Sequence, residues 1–151
     1  KRMVEDALGQ RWAWVSELPP AAVDDLPERL DGAAFLDRWG DTDDDLTTVV
    51  PAETYPVRAA TAFGVEEHAR SEQAVAVLDQ GDPAALGPIL AASHAGYDAM
   101  GLGHPAATVV IEEALARPGV HGARSSGGGC GGTVVVVCDQ GVLDDVPDLI
   151  R

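Results

Sequence analysis

The sequence predicts an α+β domain in which helices pack on one face of a small, mainly antiparallel sheet. Three observations predict it. Helical periodicity dominates residues 55–118, the period changes to that of strands after Gly122, and the stretch GARSSGGGCGGTVVVVC, Gly122 to Cys138, sets two β-prone segments on either side of a glycine-rich connection. With 151 residues, 46% of them hydrophobic, the chain is long enough to bury about two-thirds of its unfolded surface around one core.

Residues 1–42 read as a short helical piece, a Pro-rich connector, ELPPAAVDDLPERL, and a helix around GAAFLDRWG. This part is acidic and is expected to be a peripheral segment of the same domain, with residues 43–151 forming the domain proper. From Tyr55 onward Val57, Thr61, Val65, Ala69, Val75 and Leu78 recur at helical spacing until Gly81, which predicts one long helix. Asp82 then serves as an N-cap with Pro83 at the first helical position, and Leu86, Ile89, Leu90, Ser93 and Tyr97 share a face of the next helix. A third helix enters through Pro105 and breaks before Pro118. GARSS and TVVVVC follow as a hairpin, the second strand apolar enough to be expected buried on both faces.

The chain lacks an initiator methionine and closes on DDVPDLIR, an amphipathic start without a terminating glycine, so both ends read as unfinished. A net charge of −15 argues against nucleic acid as a partner, because phosphate backbones are bound through Lys and Arg. No apolar run approaches the roughly 18 residues of a membrane span. Cys130 and Cys138, the two cysteines, form neither a CxxC pair nor a disulfide framework, which suggests a reducing, cytoplasmic setting.

Five glycines in the six positions 127–132 exceed what a tight turn requires, since each costs about 0.5–1 kcal/mol relative to alanine in an ordered segment. A P-loop would need GxxxxGK followed by Ser or Thr, and a dinucleotide fingerprint would need its glycines to open a helix. Here Thr133 opens a strand and no lysine follows. What remains is a nest of backbone N–H groups turned to an anion, a close approach of this backbone to another loop, or a loose hairpin connection.

The run Asp41, Asp43, Asp44, Asp45 fails as a calcium loop, because its sixth position is Leu46 and its twelfth Ala52; a solvated acidic turn is expected. His68, His94, His104 and His121 show no metal-binding spacing and are expected to be structural, and Glu66 and Glu67 are expected on an exposed helix face.

GARSSGGGCGGTVVVV resembles the third motif of the GHMP small-molecule kinases, a glycine-rich loop of their C-terminal domain. Upstream, GDPAALGPILAASHAGYDAMGLG is similar to the helix pair of galactokinase-like members, and GAAFLDRWGDTDDDLTTVVPAETYPVRAATAFGVEEHAR resembles the L-arabinokinase branch. The similarity covers nearly all the chain beyond Pro19. It implies a ferredoxin-like C-terminal domain of a sugar 1-kinase that moves the γ-phosphoryl of ATP, with Mg2+, to the anomeric hydroxyl of a sugar such as L-arabinose or galactose.

The same resemblance implies that ATP and sugar bind between this domain and an N-terminal kinase domain that is absent here, together with the catalytic residues, so that this chain alone would be inactive. Gly127, Gly128, Gly129, Gly131 and Gly132 would let two loops meet over the phosphates, with Cys130 as packing. Ser126 would flank the loop, and Ser93 and His94 would fix a turn near the site by hydrogen bonds. TYPVR resembles a stretch that galactokinases place near the sugar, but Tyr55 precedes a different helix here and that role is not carried over; Arg58 is a candidate for the cleft only by its place on the first turn of that helix. No metal ligand is assigned. The alternatives are a stand-alone α+β binding or regulatory domain that holds an anionic metabolite on the glycine loop, and a purely structural interaction domain.

Overall fold

A computed structural model describes residues 1–43, 45–127 and 132–143. In chain order the elements are helix α1 (Arg2–Leu8), strand β1 (Leu30–Asp31), helix α2 (Gly32–Trp39), strand β2 (Thr54–Tyr55), helix α3 (Val57–Asp79), helix α4 (Leu86–Ala99), helix α5 (Pro105–Leu115), and strands β3 (Val120–Ser126) and β4 (Thr133–Cys138). Single 3₁₀ turns stand at Val15–Glu17, Pro20–Val23, Pro83–Ala85 and Gln140–Val142. The α+β class expected from the sequence is the one observed. No helix among the described residues is long and apolar enough to cross a membrane.

The chain forms two compact units, Lys1–Glu66 and Glu67–Arg151. In the first, Leu26 is fully buried and Met3, Val4, Leu18, Val23 and Val65 close around it, with Phe35 and Trp39 half-buried at the margin. The first forty residues, expected to be peripheral, therefore supply most of this core. Their apolar residues come from one short helix and two 3₁₀ turns, too irregular a spacing to announce a core in the sequence. β1 pairs antiparallel with β2, Leu30 opposite Tyr55. Asp31 caps α2 by accepting from the Ala34 N–H at 3.1 Å, the usual contribution of an aspartate at that position.

In the second unit β3 and β4 pair antiparallel, with Ala123 opposite Val136, Arg124 opposite Val135 and Ser126 opposite Thr133. Opposed residues share a face, and on the face bearing Ala123, Val134 and Val136 the helix α5 contributes Ile111 and Ala114. α4 packs along β3. Two glycines make that approach possible: a Cβ on Gly122 would stand 2.9 Å from the Gly87 Cα, and a Cβ on Gly87 would run into the His121 carbonyl. Helix α4 is entered as the sequence predicts, with Asp82 accepting from the Ala85 N–H at 3.3 Å and Pro83 opening the turn. α5 enters through Pro105, capped by His104, whose Nδ1 accepts from the Ala106 N–H at 3.2 Å.

One expectation about the sheet requires correction. β4 is not buried on both faces: no residue in it is fully buried, and Val135 is 41% exposed. Among the described residues β4 pairs with β3 alone and meets α5 on one face, so its second face and outer edge stay open to water. In α3 the apolar stripe divides, with Thr61 and Val65 buried but Ala69, Val75 and Leu78 exposed. The spacing correctly predicts the helix; burial of its second half needs a partner surface that the described residues do not supply.

Candidate functional site

The glycine-rich connection leaves β3 at Ser126, which pairs with Thr133, and Gly127 follows with φ +87°. An L-residue pays about 1–2 kcal/mol to adopt such a backbone, so this glycine is required by conformation. Gly132, immediately before β4, is exposed. Gly128, Gly129, Cys130 and Gly131 lie outside the described residues.

Behind this turn lies a polar cluster that three elements of the second unit build. Glu67 on α3 is its centre. Its carboxylate accepts from Ser93 Oγ on α4 at 2.8 Å, from Arg70 Nε one turn along α3 at 2.8 Å, and from Arg124 Nη1 on β3. The Arg124 guanidinium also donates through Nε to the Ser125 carbonyl at 2.7 Å and lies 5.4 Å from the centre of the Tyr97 ring. Tyr97, one turn beyond Ser93 on α4, donates its hydroxyl to the Gly127 carbonyl at 2.6 Å. Ser93 and Tyr97, four positions apart and neighbours on one helix face, are both buried.

The electrostatics follow from this arrangement. Burial opposes ionisation of Glu67, but the hydrogen bonds from Arg70, Ser93 and Arg124 outweigh it and hold the carboxyl below its ordinary range. The cluster is thus a carboxylate between two guanidiniums. In the first unit, Asp41 is also held low, chiefly by hydrogen bonds from the Val49 and Thr42 N–H groups; Asp41, Asp43 and Asp45 are exposed, as expected of a solvated acidic turn.

Of the residues singled out in the sequence, Gly127 and Ser93 come together at this cluster, while Ser126 pairs with Thr133 in the hairpin. Ser93 does not fix the turn after its helix; its hydroxyl reaches across to Glu67, where a charged acceptor is available. His94 makes no hydrogen bond among the described residues, although both ring nitrogens are buried, so the expected turn-fixing bond is not found there either. Arg58 belongs to the first unit, where its Nε donates to the Leu26 carbonyl at 2.8 Å. His121 Nε2 stands 2.8 Å from Asp139 Oδ1.

Sequence reasoning missed Glu67, Arg70 and Arg124, and put Glu67 on an exposed face. Its side chain is 25% exposed and turned to the cluster. The available signals were the i, i+3 pairing of Glu67 with Arg70 and the presence of Arg124 among the small residues of the stretch GARSS. Neither indicates that the two meet across 57 positions of chain.

An α+β unit with helices against an antiparallel hairpin whose connection is glycine-rich fits the C-terminal domain of a kinase family. Residues 74–148 match the family described as GHMP kinases C terminal, and the chain belongs to that family. Among individual proteins it is similar to a galactokinase of Streptomyces coelicolor, 34% identical over 131 residues that make up 86% of this chain and 30% of the relative. It is also similar to an L-arabinokinase of Arabidopsis thaliana, 30% identical over 128 residues, covering 76% of this chain and 12% of the relative. A human galactokinase is 40% identical over 76 residues, 50% of this chain and 19% of the relative. The chain thus spans less than a third of the length of these relatives.

Proposed function

We propose that this chain is the C-terminal part of an ATP-dependent sugar 1-kinase that acts on a sugar such as L-arabinose or galactose. The observation that carries the reading is the similarity to the Streptomyces coelicolor galactokinase along 86% of the chain, through a family match that includes all of residues 127–132. In the reaction the anomeric oxygen loses its proton and bonds to the γ-phosphorus of ATP, while the bond from that phosphorus to its bridging oxygen breaks and releases ADP. Such a transfer depends mainly on positioning and charge stabilisation. Gly127 to Gly132 would contribute backbone N–H groups that approach the phosphates without side chains between.

One observation supports that use: Gly127 has a φ of +87°, which a residue with a side chain rarely adopts, and among the described residues nothing stands within 4 Å of where its Cβ would be. Magnesium fits less well. Residues 122–138 carry no carboxylate, so an ion that accompanies ATP would take its ligands elsewhere in the whole protein. The acid–base groups for the sugar and the rest of the ATP site would belong to an N-terminal kinase domain. The cytoplasm is the proposed compartment, as the two-cysteine composition suggests.

The test is a coupled ADP-release assay on the full-length protein with L-arabinose, galactose and non-sugar acceptors such as homoserine, beside the isolated 151-residue chain. Turnover of a pentose or hexose by the full-length protein, with the isolated chain at background, is expected. Activity confined to non-sugar acceptors would reject the sugar reading, and sustained turnover by the isolated chain would reject the division of labour.

A further inference from the structure

The polar cluster behind the glycine turn is more elaborate than a stabilising ion pair needs to be. An ordinary exposed pair contributes about 0–1 kcal/mol and involves two side chains. Here one carboxylate gathers donors from α3, α4 and β3, and one of those donors, Arg124, makes two further contacts. A planar guanidinium can do this where an ammonium cannot. Its edge serves Glu67 and the Ser125 carbonyl while it lies near the Tyr97 ring, so fixing its plane also limits where that ring can go.

The ring carries the consequence to the loop. Tyr97 donates to the Gly127 carbonyl at 2.6 Å. At Gly127 side-chain packing cannot do this work, since the residue has no side chain and, among the described residues, nothing lies within 4 Å of where a Cβ would stand. We infer that Glu67, Arg124 and Tyr97 are positioning residues, which fix the carbonyl of Gly127 and through it the start of the glycine-rich loop. The geometry stands by itself; its consequence for catalysis rests on the kinase reading above. A displacement of about 1 Å in a phosphoryl-transfer site can cost on the order of a hundredfold in rate. Release of a single hydrogen bond at the loop's base should cost less, about tenfold in kcat.

The experiment uses the full-length protein and two variants. Tyr97→Phe keeps the ring but removes the hydroxyl from Gly127. Arg124→Lys keeps a cation for Glu67 but loses the plane near Tyr97. Amide exchange is read at residues 124–127 and 132–135, the strand ends that flank the loop, with α5 as the internal reference. Faster exchange at those ends by about tenfold, α5 unchanged, is expected for both variants. In the ADP assay kcat should fall about tenfold with the sugar KM near wild type and the melting temperature within about 2 °C.

Unaltered exchange at the strand ends would overturn the anchor, whatever the enzyme's activity. Faster exchange with an unaltered kcat in an active enzyme would overturn the positioning role. If the wild-type protein turns over no sugar at all, the kinase reading falls instead, and exchange alone decides whether Tyr97 holds Gly127.

Discussion

Replacing Gly122 by alanine tests how the second unit is held together, because that glycine lies where β3 meets α4. An added Cβ would stand 2.8 Å from Leu90 Cδ1 and 2.9 Å from Gly87 Cα. The leucine methyl can rotate away at little cost. The Gly87 backbone cannot, so α4 must move off the strand or the strand must bend, and overpacking of that kind costs about 1–3 kcal/mol. Alanine returns up to about 1 kcal/mol by restricting the unfolded chain, since Gly122 does not have a positive φ. The net loss is about 1–2 kcal/mol, a fall of roughly 3–6 °C in melting temperature for a chain of this size. Melting followed by circular dichroism measures it, with Gly141→Ala as the control, since nothing among the described residues lies within 4 Å of a Cβ at that position. If Gly122→Ala melts within about 1 °C of wild type while the control does the same, α4 and β3 are not in the contact described.

Leu26→Ala should be the more damaging change in the first unit. Its side chain is fully buried at the centre of that core, so about 2–5 kcal/mol is expected to be lost, read as the shift of a urea midpoint; a loss below about 1 kcal/mol would mean that the first forty residues do not form the core. Glu67 gives a pH prediction. Its carboxyl is held below the ordinary value of 4.5 in the folded state, so its contribution is complete above that pH and is lost as the pH falls through the lowered folded value. The stability gap between wild type and Glu67→Gln should therefore be widest near neutrality and narrow below about pH 4.5. Melting curves between pH 7 and pH 3 check this, and a gap that widens with acid would reverse the assignment.

The helices were legible in the sequence for reasons visible in single residues. Asp82 and Pro83 open α4, Pro105 opens α5, and in each case the cap is a local interaction within a few positions. The hairpin was legible for the same reason: its two strands are neighbours in the chain, and glycine at 127 is what its backbone requires. The first core was not legible. Met3, Leu18, Leu26 and Val65 converge from four separate segments, and no periodicity links positions so far apart in the chain. The short pair β1 and β2 escaped for a similar reason, two residues each being too few to show alternation.

The site divides along the same line. Ser93 could be found from its neighbourhood in a motif, yet its partner could not, because Glu67 lies 26 positions away on another helix. On α3 alone Glu67 looks like a solubilising charge beside Glu66, and with Arg70 it looks like an ordinary i, i+3 pair. Only when β3 brings Arg124 to the same carboxylate does the pair become a cluster, and only the positive φ of Gly127 leaves that carbonyl where Tyr97 can reach it. Loop glycines provide conformational freedom, which a phosphate-binding turn needs for close approach but which also raises the entropy cost of keeping the turn in place. A buried tyrosine hydroxyl at the first glycine, backed by a guanidinium that a carboxylate holds, is a way to keep the approach and limit the disorder. That is why the positioning residues sit on the helices and the strand, while the residues expected to approach the ligand carry no side chains at all.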